Sequence, residues 1–110
     1  MSCRIIPTET FLREVKTLSK KYPSIVNDLE SLGDLLTQNP KSGDPIGKNC
    51  FNVRMAVASK NKGKSGGARV ITHLLVRLEG ETLYLLKIYD KSDLETILEK
   101  ELENLLKAIT

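Results

Sequence analysis

The chain has 110 residues, a length that predicts one domain over residues 1–110 with a single hydrophobic core. Its hydrophobic and charged contents, 40% and 28%, are those of an ordinary globular protein, and no apolar run approaches the length that spans a membrane. The net charge is only +3, but seven cations and no acidic residue lie between Asp44 and Glu79. This uneven distribution predicts a cationic surface, which either binds a polyanion or is simply solvated.

The N-terminal part predicts a strand and two helices. Residues 2–6 form a short strand that ends at Pro7, and Thr8 is a good N-cap for a helix over residues 9–22. A second helix is predicted over residues 23–39, with Pro23 in its first turn and Asn39-Pro40 at its end. Because only a tight corner separates the helices, they should form an αα-hairpin. Residues 40–49 carry turn signals throughout and are predicted to be a loop.

The C-terminal part changes to a period of two, which is typical of strands. Three strands are predicted over residues 51–58, 68–78 and 82–91, with a hairpin turn at residues 79–81 in which Gly80 takes a positive φ. A last helix is predicted to begin after a cap at Ser92 or Asp93. The order β-α-α-β-β-β-α predicts an α+β fold, a small antiparallel sheet packed against an N-terminal helical hairpin, with a C-terminal helix.

The period of two also sorts the strand residues by face, since successive side chains point to opposite sides. When the apolar residues are placed against the helices, one group of polar residues shares the other face: Arg54, Arg69, His73, Lys87, Tyr89 and Lys91. The sequence therefore predicts cations from three adjacent strands on one open surface. The alternative is that they are ordinary outward-facing residues paired with the acidic C-terminal part.

The segment between the second and third of these strands is rich in lysine and glycine. Lys60, Lys62 and Lys64 lie close to Gly63, Gly66 and Gly67, so this loop can bend and bring its cations to a polyanion. The alternative is a solvated hairpin tip. The letters GKS at residues 63–65 do not form a P-loop, because Ala58 occupies the position at which that motif requires a glycine. A strand also follows where the motif needs a helix.

The remaining chemistry is compatible with a metal-independent activity on phosphates. Cys3 and Cys50 are predicted to be reduced structural thiols, and with His73 as the single histidine no ligand spacing predicts a metal or another cofactor. The first eleven residues do not have the pattern of a signal peptide, so a cytoplasmic protein is expected. A surface of Arg, Lys and Tyr can hold phosphates and stabilise charge on pentavalent phosphorus. Phosphodiester chemistry on RNA without a metal is therefore possible.

Two stretches carry a resemblance to a known family. The stretches GKNCFNVRMAVASKNKGKSGGARVI (47–71) and LLKIYDKSD (85–93) resemble the RelE/ParE superfamily of toxins from bacterial type II toxin–antitoxin systems, in its RelE/HigB-like branch. The resemblance covers nearly the whole chain and implies a RelE-like toxin domain. RelE and HigB members cleave mRNA in the ribosomal A site, and ParE members poison DNA gyrase. The resemblance thus implies a cognate antitoxin, the ribosome and mRNA as partners.

The family's functional residues carry over in part. Arg54 matches a basic residue of the strand FNVRMAV, Arg69 matches the arginine that holds the scissile phosphate, and Lys91 matches the basic residue after the last strand. Asn52 stands where the family has a lysine, and Tyr89 is the candidate to replace a C-terminal tyrosine that this chain lacks. The resemblance implies Arg54, Arg69, Tyr89 and Lys91 as catalytic residues. The RNA-binding residues are then Lys60, Lys62, Lys64, His73 and Lys87.

Three functions stay open at this point. The first is a ribosome-dependent mRNA endonuclease that inhibits translation, in which the ribose 2′-hydroxyl attacks the adjacent phosphate and needs a proton acceptor. The second is a ParE-like inhibitor of DNA gyrase. The third is a catalytically silent nucleic-acid-binding module. The cationic strand face favours the first, because a gyrase inhibitor does not need a phosphate-binding site.

Overall fold

A computed structural model of the protein describes residues 3–61, 63, 66–94 and 96–109. Its helices and strands are β1 (Cys3–Pro7), α1 (Glu9–Lys21), α2 (Ile25–Gln38), β2 (Asp44–Gly47), β3 (Cys50–Met55), β4 (Ala68–Arg77), β5 (Gly80–Asp90) and α3 (Glu99–Lys107). The five strands form one sheet in the order β1-β5-β4-β3-β2. The predicted α+β fold is confirmed. The sheet is mixed, however, since β1 pairs with β5 in parallel while the other neighbours are antiparallel.

The helical hairpin forms where it was predicted. The Thr8 hydroxyl oxygen accepts the Phe11 N–H at 3.2 Å, which confirms the predicted N-cap, and it also donates to the Leu85 carbonyl at 3.0 Å. The cap therefore fixes the start of α1 against β5. Pro23 lies outside α2, contrary to the prediction, because the Ile25 N–H closes a turn onto the Tyr22 carbonyl at 3.1 Å before the helix begins. None of the helices in the described ranges has the length and apolar character needed to cross a membrane.

A short strand, β2, lies within the predicted loop at residues 40–49. It pairs with the first half of β3 at the edge of the sheet, where Pro45 is tolerated because no further strand needs its missing N–H. Lys48 and Asn49 connect the two strands with φ values of 56° and 58°. Positive φ at both residues is the backbone of the two-residue turns that favour hairpins. The loop prediction was therefore wrong for β2.

The C-terminal helix begins at Glu99, later than the predicted caps at Ser92 and Asp93. Ser92 instead lies in the turn after β5, where its N–H and its hydroxyl both donate to the Asp90 carboxylate, at 3.0 and 2.7 Å. Ile97, two residues before α3, is buried.

Both faces of the sheet are covered in part, so the protein has two hydrophobic cores. The first lies between the sheet and α1 and α2, and its largest fully buried side chains include Ile25, Leu36, Leu83 and Ile88. The second lies between the sheet and α3, and it contains Cys50, Ile71, Leu86, Tyr89, Ile97 and Leu102. The predicted open face is therefore wrong for the part of the sheet beneath α3.

A bulge in β5 explains why simple alternation failed there. Ile71 of β4 lies opposite Lys87, but the next residue, Thr72, lies opposite Leu85, so that Leu86 is an extra residue. An extra residue reverses the order of the faces along the strand. As a result Leu86 packs in the core beneath α3, not against the helical hairpin as the alternation predicts.

Candidate active site and nucleic-acid interface

Three predicted site residues form a row across three strands. Arg54 of β3 lies directly opposite Arg69 of β4, and Arg69 lies directly opposite Tyr89 of β5. Residues that are directly opposite in a sheet project from the same face, with Cβ atoms about 5 Å apart. The predicted grouping of these three side chains on one face is thus confirmed. The row lies where β3 and β5 end and β4 begins.

The members of the row differ greatly in exposure. Arg54 is exposed, whereas Arg69 is 5% exposed and Tyr89 6% exposed. Tyr89 belongs to the core that includes Ile97 and Leu102, and an Arg69 guanidinium nitrogen donates to the Ala68 carbonyl at 3.2 Å. The prediction that these side chains share an open surface is therefore wrong for Arg69 and Tyr89. An anion that approaches from solvent reaches Arg54 first.

Asn52, which stands where the RelE-like family has a lysine, also contributes to this region. Its side-chain nitrogen donates to the Tyr89 hydroxyl oxygen at 3.2 Å, so it links β3 to β5 across β4. The Asn52 amide oxygen is buried and has no hydrogen-bond partner among the described residues. A polar residue on the same strand face as Arg54, two positions before it, was the available signal.

Lys60 does not lie on a mobile, exposed loop. Its ammonium nitrogen forms an ion pair with Asp90 and donates to the Gly67 carbonyl at 3.3 Å, and its side chain is 10% exposed. The predicted position of Lys60 on an exposed, bending loop is therefore wrong. Lys62 and Lys64, the two other lysines predicted to contact RNA, lie outside the described residues.

The segment that carries Lys60 is held by the start of α2. Residues 58–60 form a 3₁₀ helix, in which the Ala58 N–H donates to the Asp28 carboxylate at 3.2 Å and the Ser59 N–H donates to the Ser24 hydroxyl at 2.8 Å. Asp28 precedes Ala58 by 30 residues. Local patterns therefore could not reveal these contacts, and the lysine and glycine content alone suggested a flexible loop.

Asp90 is the centre of the buried polar network that receives Lys60. One carboxylate oxygen accepts the Lys60 ammonium and both Ser92 donors, and the other accepts the Tyr22 hydroxyl at 2.7 Å. Burial by itself raises the pKa of Asp90, but the hydrogen bonds from Lys60, Tyr22 and Ser92 outweigh it and hold the pKa well below its ordinary value. The carboxylate is therefore charged in the folded protein, although it is 2% exposed.

Gly67 brings the three strand ends into contact. Its carbonyl accepts the backbone N–H of Lys91 at 3.1 Å as well as the Lys60 ammonium. A Cβ atom at Gly67 would lie 2.1 Å from the Met55 carbonyl oxygen at the end of β3. The glycine is thus required for close packing and not only for bending. Lys91, a predicted catalytic residue, is half-buried immediately beyond the end of β5.

Lys87 and His73, both predicted to contact RNA, have partners within the protein. The Lys87 ammonium bridges Glu14 of α1 at 2.7 Å and Glu101 of α3 at 3.2 Å. Burial lowers the pKa of Lys87, but these two carboxylates outweigh burial and raise it. An open, RNA-facing position for Lys87 is therefore wrong, because its charge is engaged between two helices.

His73 is half-buried beside Cys50. Its Nδ1 lies 3.4 Å from the Cys50 sulfur, and its ring stacks on Tyr84 with 6.5 Å between ring centroids. Burial lowers the pKa of His73 below 6.5, so it is neutral at pH 7, and burial raises the pKa of the Cys50 thiol to about 11. Cys50 is therefore a protonated, structural thiol. In the part of the chain that the structure describes, no three His, Cys, Asp or Glu side chains are grouped to hold a metal ion.

Comparisons with known proteins bear on the fold. No family model matches the sequence. The structure is similar to that of the E. coli toxin RelE, solved in the free state as a double arginine-to-alanine mutant. The two structures align with a TM-score of 0.62 over 100% of both chains, at 14% sequence identity. The chain therefore has a RelE-like fold.

Proposed function

We propose that this protein is the toxin of a type II toxin–antitoxin system and acts in the cytoplasm as a ribosome-dependent mRNA endonuclease. The observation that carries the proposal is the RelE-like fold over the full length of both chains, since the similar structure is that of a toxin. The row of Arg54, Arg69 and Tyr89 supports it, because two arginines on one sheet face suit the binding of an RNA phosphate.

In the proposed reaction the ribose 2′-oxygen attacks the adjacent phosphorus. A bond forms between phosphorus and the 2′-oxygen, and the 2′-hydroxyl gives its proton to a base. The bond to the 5′-oxygen of the next nucleotide breaks, and this oxygen takes up a proton and leaves as a hydroxyl. Arg54 is exposed and would hold non-bridging phosphate oxygens, while the buried Arg69, beside it on β4, would stabilise the charge that grows on phosphorus. Lys91 lies at the same end of the sheet and would supply a further cation on the side of the leaving 5′-oxygen.

Tyr89 is assigned a supporting role in this scheme. It is buried, and its hydroxyl accepts a hydrogen bond from Asn52. A group in this position can set the orientation of neighbouring side chains, and the proton of the 2′-hydroxyl then passes to a base outside the row. The RNA-binding role of Lys62 and Lys64 stays a sequence prediction.

The proposal includes a cognate antitoxin, since a free enzyme of this kind would harm its host. A groove of about 270 Å³ lies beside Arg54, between α2 and β3, and its lining includes Leu32, Leu35 and Met55. Leu35 is 48% exposed although it is apolar. An antitoxin segment with an acidic and an apolar side chain would fit this groove and cover Arg54 at the same time.

One observation favours a second candidate, a catalytically silent binding module. Arg69 and Tyr89, which the family resemblance implies as catalytic, are both nearly inaccessible to solvent. A protein that only binds a partner through the RelE-like fold does not need to expose them. The exposed Arg54 then contributes to a binding surface and not to a reaction.

Induction of the protein in a bacterial host distinguishes these candidates. Incorporation of labelled amino acid and labelled thymidine is followed from the moment of induction, with an Arg54→Ala variant beside the natural protein. The endonuclease proposal predicts that protein synthesis stops first and that the variant is much less toxic. An earlier stop of DNA synthesis would instead identify a gyrase inhibitor, and normal growth with an unaltered rate of both would identify the silent module.

A further inference from the structure

The network around Asp90 joins the three strand ends that carry the proposed site. Asp90 follows Tyr89 and precedes Lys91 in the chain, so contacts that hold Asp90 in place also restrain the backbone of both neighbours. Its ion-pair partner Lys60 also donates to the Gly67 carbonyl, which in turn accepts the Lys91 N–H. Gly67 lies against the Met55 carbonyl, one residue beyond Arg54.

The network is satisfied and buried, which distinguishes it from a surface ion pair. The side chains of Lys60 and Asp90 are 10% and 1% exposed, and Asp90 accepts donors from Lys60, Tyr22 and Ser92. Isolated surface ion pairs contribute little to the free energy of unfolding, whereas a buried ion pair with complete hydrogen bonding holds its side chains in one geometry. The mutual attraction of the two charges and these hydrogen bonds offset the cost of burying them, and the same contacts restrain the end of β5 and the residue before β4.

The geometry of the row also depends on where its three strands lie relative to one another. Arg54 and Arg69 carry like charges on directly opposite residues, a pairing that is unfavourable in a sheet. The hydrogen bond from Asn52 to Tyr89 depends on the position of β5 relative to β3. A small shift of the end of β5 would therefore change the distance between the Tyr89 hydroxyl and Asn52, and the placement of Lys91.

We propose that Lys60 and Asp90 are a positioning pair, which aligns Arg54, Arg69 and Lys91 for the reaction on RNA. The expected effect of this pair on cleavage rests on the proposed function, whereas its expected effect on the geometry of the row does not. Lys60 thus serves the site from within the protein, without touching RNA. A displacement of about 1 Å at a catalytic group can cost about 100-fold in rate, so a pair that fixes three strand ends has a large effect on the reaction.

The test uses the double variant Lys60→Met/Asp90→Asn, which removes both charges and leaves neither one buried alone. Single variants leave one charge without its partner and destabilise the fold more. The variant Tyr22→Phe, which removes one hydrogen bond to Asp90 and no charge, is the milder second probe. The matched control is Arg13→Met, which breaks the exposed pair of Arg13 with Glu9 at the surface of α1.

Two measurements are made on each folded variant, at a temperature where circular dichroism shows the native spectrum. The first is the NMR signal of the Asn52 side-chain amide, which reports its hydrogen bond to Tyr89. The second is single-turnover cleavage of mRNA on ribosomes, at saturating ribosome to give the rate and over a titration to give the affinity. A purely structural role would leave the Asn52 signal and the saturating rate of the folded fraction unchanged.

The positioning role predicts that the double variant shifts the Asn52 amide signal and cleaves about 10- to 100-fold more slowly at saturation, with unchanged ribosome affinity. Tyr22→Phe is expected to change both quantities less, and Arg13→Met to change neither. An unshifted Asn52 signal in the folded double variant would overturn the inference. If the natural protein does not cleave mRNA, the proposed function fails, and the Asn52 signal still decides whether the pair positions the row.

Discussion

Arg54 is the residue of the row that a phosphate can reach directly from solvent. Under the proposed function, Arg54→Ala would remove a charged donor from the scissile phosphate, and we expect a loss of about 10²–10³ in the single-turnover cleavage rate. Arg77→Ala is the matched control, because Arg77 is also an exposed arginine but lies at the opposite end of β4. We expect it to cleave normally. An equal loss in both variants would indicate a general effect of charge and contradict a specific role for Arg54.

The lowered pKa of Asp90 makes the stability of the folded protein depend on pH in the acid range. Its pKa lies below the ordinary value of 3.8 in the folded protein, because its donors outweigh the opposing effect of burial. A depressed folded-state pKa stabilises the fold fully above the unfolded-state value, and this contribution is lost as the pH falls toward the folded-state pKa. We therefore expect the free energy of unfolding to fall between about pH 5 and about pH 2 more steeply in the natural protein than in Asp90→Asn.

Urea unfolding at several pH values measures this difference. Other carboxylates titrate in both proteins, so the comparison with Asp90→Asn isolates the contribution of Asp90. Parallel curves for the two proteins would show that the carboxylate has an ordinary pKa, and the description of the buried network would be wrong.

At the scale of elements, the start of β4 depends on a glycine that packs against the end of β3. In Gly67→Ala the new methyl group would lie 2.1 Å from the Met55 carbonyl oxygen, a backbone atom that cannot move without disturbing β3. We expect a loss of roughly 1–3 kcal/mol in the free energy of unfolding. Gly63→Ala, where no atom of the described residues lies within 4 Å of the added Cβ, should change the free energy of unfolding little. Equal unfolding midpoints in urea for the two variants would refute the close packing.

Lys87 connects the two helices that flank β5. Lys87→Met would leave Glu14 and Glu101 without their shared cation, and we expect a loss of roughly 1–3 kcal/mol in the free energy of unfolding. Ribosome binding and its dependence on salt should stay the same, because this ammonium is engaged inside the protein. Lys41→Met, which removes an exposed lysine of the loop after α2, is the control for net charge. A reduced salt dependence of ribosome binding in Lys87→Met alone would restore the RNA-contact role.

The elements with strong local signals were predictable, and those set by distant contacts were not. Thr8 as a cap and the hairpin of α1 and α2 follow from local propensity and apolar spacing, and the structure confirms them. The strand β2 contains Pro45 and Gly47, which suppress strand signals, and it forms because β3 supplies a partner. The bulge at Leu86 is likewise decided by pairing with β4, which a single strand does not reveal.

For the candidate site too, the features set by local alternation were predictable and those set by distant contacts were not. The alternation along β3 and β4 predicted that Arg54 and Arg69 share a face, and the register confirms it. Their exposure could not be predicted, since it depends on which segment packs over the row. Lys60 was assigned to RNA on composition, but Asp90, to which it binds, is 30 residues away in the sequence. Burial and pairing of charges are properties of the assembled fold.

For the molecule as a whole, a single sheet separates two cores and carries the proposed site at one end. The helical hairpin covers one face, and α3 covers part of the other, where the row lies. The sheet and the three helices align with the RelE toxin structure over the full chain. Under the proposed function, RNA or an antitoxin would contact the exposed Arg54, while Arg69 and Tyr89 stay buried.

The most direct test of the proposed activity uses purified ribosomes programmed with a defined mRNA. The protein is added, and primer extension maps any new 5′ ends on the message, with the same mRNA free of ribosomes as the control. A ribosome-dependent endonuclease should produce new 5′ ends within the codon in the ribosomal A site, and it should leave the message intact when ribosomes are absent. An intact message on programmed ribosomes, together with trapped and cleaved DNA in a parallel gyrase assay, would contradict the proposed activity.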